Sequence, residues 1–410
     1  MATPNKIGLL NTSWTCHRLS PLHHANIEIK ASSLLKDQAA LNLYAARLKD
    51  HLTNSLADGT GWRAAAGGGE DEPSSTGLSA LGALQSCTWE GVSGLNFVEP
   101  DEDRDEEGGE EGKEPAGLLI TLAYENSTYR AALLALPSDA KANSNSRTEG
   151  QNKPQVPQKR KRGRPSLKSS STSPDTKTST TLPLLLTRLP KPLRENLLSF
   201  LSSNLDTYIS PLRISSSGLA SLLESYVAAL KTASSQFSDE AGAEIQDIIR
   251  ELSLTLSFAP PIAPHLKALS LGVPRETFGA FLTSSNSSTS SSSSHSGSDF
   301  VLRGLSEYVR KHLAMELGLP LPGTSSLDPS AGGKGDDASL VGGYVRLTKI
   351  ACAGFVVTSE GRLKIVAKGD ADADGDDGRN KGALRGGEAM LRGVLERAAG
   401  VGGFRDEAEE

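Results

Sequence analysis

The chain has 410 residues, a formal net charge of −6, 37% hydrophobic residues and only 5% aromatic residues. Globular domains have an apolar share of roughly 45–50%, so we expect one folded unit with long disordered insertions rather than two packed domains. Three widely spaced cysteines and the lack of an apolar run of roughly 18 residues argue against a disulfide scaffold and a membrane span, and predict a soluble intracellular protein.

The N-terminal part of the predicted fold, residues 1–137, begins with a strand and a helix. Residues 9–22 show an imperfect polar–apolar alternation that favours a strand. Residues 31–56 carry Leu and Tyr at three- and four-residue spacing, which predicts an amphipathic helix. Alternating patterns then predict an antiparallel meander of three strands at residues 84–98, 118–123 and 129–136.

The central part, residues 182–282, is predicted to be rich in helices. Apolar residues at helical spacing favour helices at residues 192–205, 217–231 and 243–252. Ser215 to Ser217 offer the hydroxyl groups that an N-cap requires. An apolar strand around Leu254 and Phe258 is expected to follow the third helix.

The C-terminal part, residues 299–403, is predicted to hold two helices and a hairpin. The helices are expected at residues 300–317 and 388–399. Between them, Ser359-Glu360-Gly361 separates two apolar runs and predicts a β-hairpin within residues 344–366.

Polar, charged and Gly-rich stretches separate these predicted elements. Such stretches bury too little apolar surface to offset the entropy of ordering, so we expect disordered linkers or loops there. They are residues 58–80, 99–115, 138–181, 283–298, 323–340 and 369–385. The acidic insertion 99–115 would lie between neighbouring strands, which is tolerable because loop-closure entropy grows slowly with length.

The most specific short motif lies in the basic linker. Arg162, Gly163, Arg164 and Pro165 resemble the core of an AT-hook. In such a peptide the glycine allows close approach to the minor-groove floor, and the arginines extend into the negative potential of A·T-rich DNA. The same segment, through Lys159, Arg160, Lys161 and Arg162, also fits a nuclear localisation signal without DNA contact. Both interpretations predict a nuclear protein.

Catalytic and metal-binding patterns are not found in the sequence. No nucleotide-binding, hydrolase or metalloprotease motif occurs, so we predict a non-enzymatic protein without catalytic residues, metal or cofactor. Residues 370–375 match the first half of an EF-hand loop, but Lys381 stands where the chelating Glu belongs. No carboxylate or cysteine stands at a spacing that would complete a metal site with His23 and His24, so both are expected at the surface.

Three stretches of the chain carry a resemblance to a known family. The opening strand with Asn11-Thr12-Ser13-Trp14, the central residues 211–230, and residues 345–364 are together similar to fungal relatives of centromere protein L, an inner-kinetochore family. The order of elements and the opening strand carry most of this similarity. The acidic, basic and Ser-rich insertions lie outside it.

This resemblance implies both a fold and a function. The fold would be α+β, with a curved and mostly antiparallel sheet, helices packed on one side and long disordered insertions. The protein would be a non-enzymatic subunit at the centromere of the chromosome. It would assemble with a centromere protein N relative and other constitutive inner-kinetochore subunits, contact centromeric nucleosomes indirectly, and support chromosome segregation.

The same resemblance places the partner contact in the C-terminal sheet region. The residues concerned would be Val345, Leu347, Phe355, Val356 and Val357. An exposed strand edge there could accept a partner strand. A homodimer, and direct contact with A·T-rich DNA, stay open at this point. The alternative hypothesis is an AT-hook chromatin or transcription factor of another family.

Overall fold

A computed structural model of the chain describes residues 8–24, 34–57, 82–92, 116–136, 179–234, 241–258, 265–283, 300–313, 345–366 and 377–400. The strands are β1 Ser13–Leu19, β2 Leu22–His23, β3 Leu84–Val92, β4 Gly117–Tyr124, β5 Thr128–Leu134, β6 Ser179–Thr180, β7 Leu184–Arg188, β8 Ile209–Pro211, β9 Leu252–Phe258, β10 Ala268–Val273, β11 Val345–Ala351, β12 Phe355–Thr358 and β13 Arg362–Ile365. The helices are α1 Gln38–Ala57, α2 Lys191–Leu205, α3 Ser216–Ser234, α4 Ala241–Ile249, α5 Arg275–Thr283, α6 Phe300–Leu313 and α7 Asp377–Ala399.

One open sheet joins eleven of these strands. Its order is β10-β9-β11-β12-β13-β1-β7-β5-β4-β3, and β8 pairs with the end of β1. All the strand pairs are antiparallel, including those of the small two-stranded sheet of β2 and β6. The predicted α+β class with a mostly antiparallel sheet is therefore confirmed.

The N-terminal strand β1 lies in the middle of this sheet. Ser13 pairs with Lys364 of β13 on one side, and Cys16 pairs with Leu186 of β7 on the other. The predicted meander β3-β4-β5 continues the sheet beyond β7. A single set of backbone hydrogen bonds thus holds the beginning, middle and end of the described chain together.

The strand β7 shows why the sheet has helices on both faces in one half. Leu184 and Leu186 belong to one core cluster, whereas Leu185 between them belongs to the other. Continuous apolar runs of this kind are typical of strands buried on both faces. In this half, α1 and α2 cover one face and α3 and α7 cover the other. The expected arrangement, with helices on one side of the sheet only, therefore holds only for the half from β9 to β13.

The helices α3 and α7 pack closely because α7 presents glycines to large side chains of α3. A Cβ added to Gly393 would lie 2.7 Å from Leu222 Cδ2, and one added to Gly386 would lie 2.6 Å from the Tyr226 ring. The glycines therefore allow an approach that alanine would prevent. Ser215 caps α3 as predicted, since its Oγ accepts a hydrogen bond from the Gly218 amide at 3.1 Å.

Candidate interaction surfaces

The predicted hairpin is confirmed as β12 and β13, and it is anchored to β1. Phe355 pairs with Ile365 and Val357 with Leu363. Gly361 has a φ of +73°, which an L side chain rarely adopts. Its carbonyl oxygen accepts a hydrogen bond from the Cys16 amide at 2.7 Å. The hairpin is therefore a fixed part of the sheet.

The five predicted partner-contact residues do not share one surface. The side chains of Val345, Leu347, Phe355 and Val357 are buried in the core under the helices. Val356 alternates with its neighbours and lies half-buried on the opposite face. Of these five residues, Val356 alone can contribute its side chain to a docking surface on the folded sheet.

The prediction of an exposed strand edge within residues 344–366 is wrong. The strand β11 lies between β9 and β12, β12 lies between β11 and β13, and β13 pairs with β1. The edges of the sheet are instead β10 and β3. Sequence neighbours revealed the hairpin, but they could not reveal the distant strands that flank it.

The edge strand β3 is partly covered by α1. The Lys49 ammonium group donates a hydrogen bond to the Gln85 carbonyl oxygen at 2.9 Å. The Gln38 amide nitrogen donates one to the Trp89 carbonyl oxygen at 3.4 Å. Side chains that occupy backbone acceptors in this way reduce the capacity of an edge to pair with another strand.

The edge strand β10 lacks such protection within the described ranges. Its sequence, Ala-Leu-Ser-Leu-Gly-Val, contains no charged residue and no proline, which are the common means of blocking an edge. Ala268, Ser270 and Gly272 are exposed, whereas Leu269 and Leu271 are half-buried, and Leu271 packs against the core. The structure thus makes β10 the better candidate for strand addition.

No helix of the described ranges covers the face of the sheet opposite α3 and α7 along β9 to β13, and we call this face the outer face. Its side chains are exposed or half-buried, whereas those of the core face are mostly buried. A polar row crosses it through paired residues, running Ser270, Thr255, Lys349, Thr358, Arg362 and Thr15.

Positive charge is concentrated on part of this outer face. Arg346 and Lys349 of β11 and Arg362 and Lys364 of β13 lie on it, and we call this area the basic face. The strands β1 and β9 to β13 carry no Asp or Glu. Lys349, Arg362 and Lys364 form no ion pair with any residue in the described part of the chain. The area can therefore attract an anionic partner.

The histidines do not form a ligand cluster. His24 and His17 are buried, which corrects the expected surface position of His24, while His23 is exposed. Burial, and then the positive charge of Arg194, lower the pKa of His17 to about 4. Its Nε2 lies 3.4 Å from Thr187 Oγ1. His17 is thus a neutral packing residue at neutral pH.

The cysteines offer no reactive thiolate. Burial raises the pKa of Cys16 and of Cys352 to about 12, and that of Cys87 to about 11. Among the described residues, no group of three His, Cys, Asp or Glu side chains could hold a metal ion. Within the same ranges, no helix is both long and apolar enough to cross a membrane.

The predicted DNA-binding residues Arg162, Gly163, Arg164 and Pro165 lie outside the described residues, as do Lys159, Arg160 and Lys161 of the predicted localisation signal. The structure therefore leaves both interpretations of this segment as predictions.

Comparison with known families gives a match along nearly the whole chain. The model of a family described as centromere protein L matches residues 8–399, nearly the whole chain. The match includes each strand of the large sheet and all seven helices of the described ranges. No curated protein matches the sequence significantly.

Proposed function

The chain belongs to the centromere protein L family and is a kinetochore subunit, and from this premise we propose that it assembles with a centromere protein N relative. In this proposal it joins other constitutive inner-kinetochore subunits on centromeric chromatin inside the nucleus, has no catalytic activity and supports chromosome segregation. The single observation that carries the proposal is the family match along residues 8–399.

We propose that the partner adds a strand to the edge of β10. The support is the backbone of Ala268–Val273, which pairs with β9 on one side and with no described strand on the other. Backbone hydrogen bonds at such an edge supply affinity, and alternate side chains supply specificity. Val356 and its neighbours on the outer face would extend the contact. A second copy of this chain could occupy the same edge, so the measurement must distinguish a heterodimer from a homodimer.

The decisive experiment is affinity purification of the full-length tagged chain from nuclei, with partners identified by mass spectrometry. We expect a centromere protein N relative and further inner-kinetochore subunits at near-stoichiometric amounts. Recovery of the chain as a homodimer without these subunits would contradict the proposed partner. Recovery of transcription factors in their place would favour the alternative function.

The basic segment has a separate proposed role in nuclear import or DNA retention. The support is the Arg162-Gly163-Arg164-Pro165 sequence and the lysines and arginine before it. Residues 159–168 can be deleted while an unrelated import signal is supplied. A kinetochore subunit should still reach centromeres, because its folded surfaces carry the docking. An AT-hook factor of another kind should lose chromatin altogether.

A further inference from the structure

We propose that the basic face binds an acidic segment of this same chain, residues 99–114, which lies in the connection between β3 and β4. This inference does not rest on strand addition at β10, but the acidic segment and a partner that extends over Val356 would occupy the same outer face. It rests on three features: the spacing of the cations, the charge of the segment, and the length of the connection.

The cations on the basic face have the spacing of an extended acidic peptide. Arg362 and Lys364 alternate on β13, which separates them by about 7 Å along the strand. Lys349 lies two strands away from Arg362, at about 10 Å between backbones. Side chains two residues apart in an extended peptide are also about 7 Å apart. Carboxylates at alternate positions can therefore meet successive cations.

The charge of residues 99–114 is complementary to this face. The segment contains ten acidic and two basic residues, a net charge of −8. The basic face carries four cations, and Glu and Asp are absent from the strands that form it. Mutual repulsion among Lys349, Arg362 and Lys364 is relieved when carboxylates approach, and covalent attachment keeps the effective concentration of the segment high.

The position of the connection in the sheet allows it to reach this face. Gly117 pairs with Leu134, Leu134 pairs with Leu184, and Leu184 pairs with Arg18. The connection therefore leaves the sheet at the end of β1 that carries Arg18. Arg362 pairs with Thr15, three residues before Arg18, which corresponds to about 10 Å along the strand. The outer face lies on the same side of the sheet as α1 and α2.

The length of the connection is also sufficient. The strand β3, which ends at Val92, lies five strands from β13 and seven from β11, which corresponds to about 24 and 34 Å. Ten residues lie between Val92 and Asp103, and the eleven steps from one to the other span at most about 37 Å when the chain is extended. The acidic residues in the middle of the segment can thus reach all of the basic face.

A second acidic stretch, residues 370–377, fits this face less well. It connects β13 to α7, and α7 lies on the core face of the sheet. Its path therefore leads away from the outer face, and it has fewer acidic residues than residues 99–114. Nucleic acid is the other anionic occupant that the cations could attract, and it becomes an outcome of the test.

The test uses a carbodiimide, which joins a lysine amine to a carboxylate only when the two are in contact. Full-length monomer should give cross-links from Lys349 and Lys364 to acidic residues within 99–114. The matched control is Lys311, which is exposed on α6 on the other side of the sheet. It should give no cross-link to residues 99–114. The links should disappear at roughly 1 M salt, where the Debye length falls to about 3 Å.

A second measurement covers the case in which a variant folds poorly. In a full-length variant with all ten acidic residues of the segment changed to amides, a fluorescent peptide of residues 99–114 should bind in trans. The double change Lys349→Glu and Lys364→Glu should weaken that binding at least tenfold. Cross-links to residues 370–377, or the absence of any link from Lys349 and Lys364, would overturn the proposal. So would a charge reversal that weakens binding to duplex DNA but leaves peptide binding unchanged.

Discussion

The ring of Phe355 on β12 lies 4.7 Å from the ring of Tyr226 on α3, measured between centroids. Both side chains are fully buried. This contact joins the C-terminal hairpin to the central helix layer, and Gly386 of α7 lies against the same tyrosine ring. Three parts of the chain that are far apart in sequence therefore depend on one aromatic pair.

Gly386→Ala should destabilise the protein without changing its fold. The added Cβ would lie 2.6 Å from Tyr226 Cε2, so α7 must shift away from α3. Overpacking of this kind costs about 1–3 kcal/mol, which exceeds the gain of up to about 1 kcal/mol in helix propensity. Chemical denaturation of both proteins gives the difference in free energy of unfolding. Equal or greater stability of the variant would contradict the close packing.

Gly354→Ala and Tyr226→Phe should be coupled. A Cβ on Gly354 would collide with the Tyr226 hydroxyl oxygen, while the next ring atom would be 3.1 Å away. The hydroxyl group has no hydrogen-bond partner in the described structure, so its removal alone should be nearly neutral. Gly354→Ala lowers the free energy of unfolding in both backgrounds. We expect the loss to be at least about 1 kcal/mol smaller in the Tyr226→Phe background than in the parent, a coupling typical of residues in contact. Chemical denaturation of the parent, both single variants and the double variant measures this coupling. If the two single changes in free energy of unfolding add up to that of the double variant, the contact is absent.

The buried His17 should make the protein less stable in mild acid. Its folded pKa of about 4 is below the ordinary value of 6.5. Above pH 6.5 the side chain is neutral in both states. As the pH falls from 6.5 towards 4, only the unfolded chain gains the proton, so the free energy of unfolding falls by up to about 3 kcal/mol.

His17→Gln should remove this part of the acid sensitivity, because glutamine does not titrate. Thermal unfolding followed between pH 7 and pH 4.5 measures the effect. His23→Gln is the matched control, since His23 is exposed. If His17→Gln and the parent have identical profiles of stability against pH, a group other than His17 causes the loss of stability in acid.

The β10 edge can be tested with lysines. The double change Ala268→Lys and Ser270→Lys places positive charges on an exposed strand, where lysine opposes pairing with another chain. We expect recovery of a centromere protein N relative in pull-down to fall about tenfold or more, with unchanged thermal stability. Thr88→Lys on the opposite edge strand β3 should have no effect. Undiminished recovery with the β10 variant would place the contact elsewhere.

Adjacent hairpin residues provide a matched pair of variants. Val357→Asp puts a carboxylate into the core and should unfold the sheet, because an unpaired buried charge is strongly unfavourable. Val356→Asp puts the same group on the half-buried outer face and should leave the protein folded. Circular dichroism distinguishes these effects, and partner recovery with Val356→Asp then reports on the outer face alone. If both variants unfold equally, the assignment of the two faces is wrong.

The sequence predicted the elements whose pattern is local. Alternation and the Ser359-Glu360-Gly361 turn identified the hairpin, and helical spacing identified α1, α2 and α3. It did not predict β7, because Leu184-Leu185-Leu186 is buried on both faces and has no alternation. The helix α7 starts eleven residues before the predicted residue 388, since glycines obscured its apolar face while serving its packing on α3.

The candidate surfaces were harder to predict than the elements. Which strand forms an edge depends on pairings between distant residues, and the sequence does not show that β9 lies beside β11. The basic face has the same difficulty. The alternation of Arg362 and Lys364 with Leu363 and Ile365 is visible in the sequence, but only the assembled sheet shows that none of the described helices lies over them.

The central position of β1 has a consequence for synthesis of the protein. Ser13 emerges from the ribosome early, yet its partner Lys364 emerges after 350 intervening residues. Until then the Ser13–Thr15 side of β1 lacks its native neighbour, and unpaired strand edges favour aggregation. Pairings of such high sequence separation also slow folding. The nascent chain should therefore depend on chaperones until its last strand is made. A premature stop before β13 removes only a short part of the chain, but it should destabilise the whole sheet.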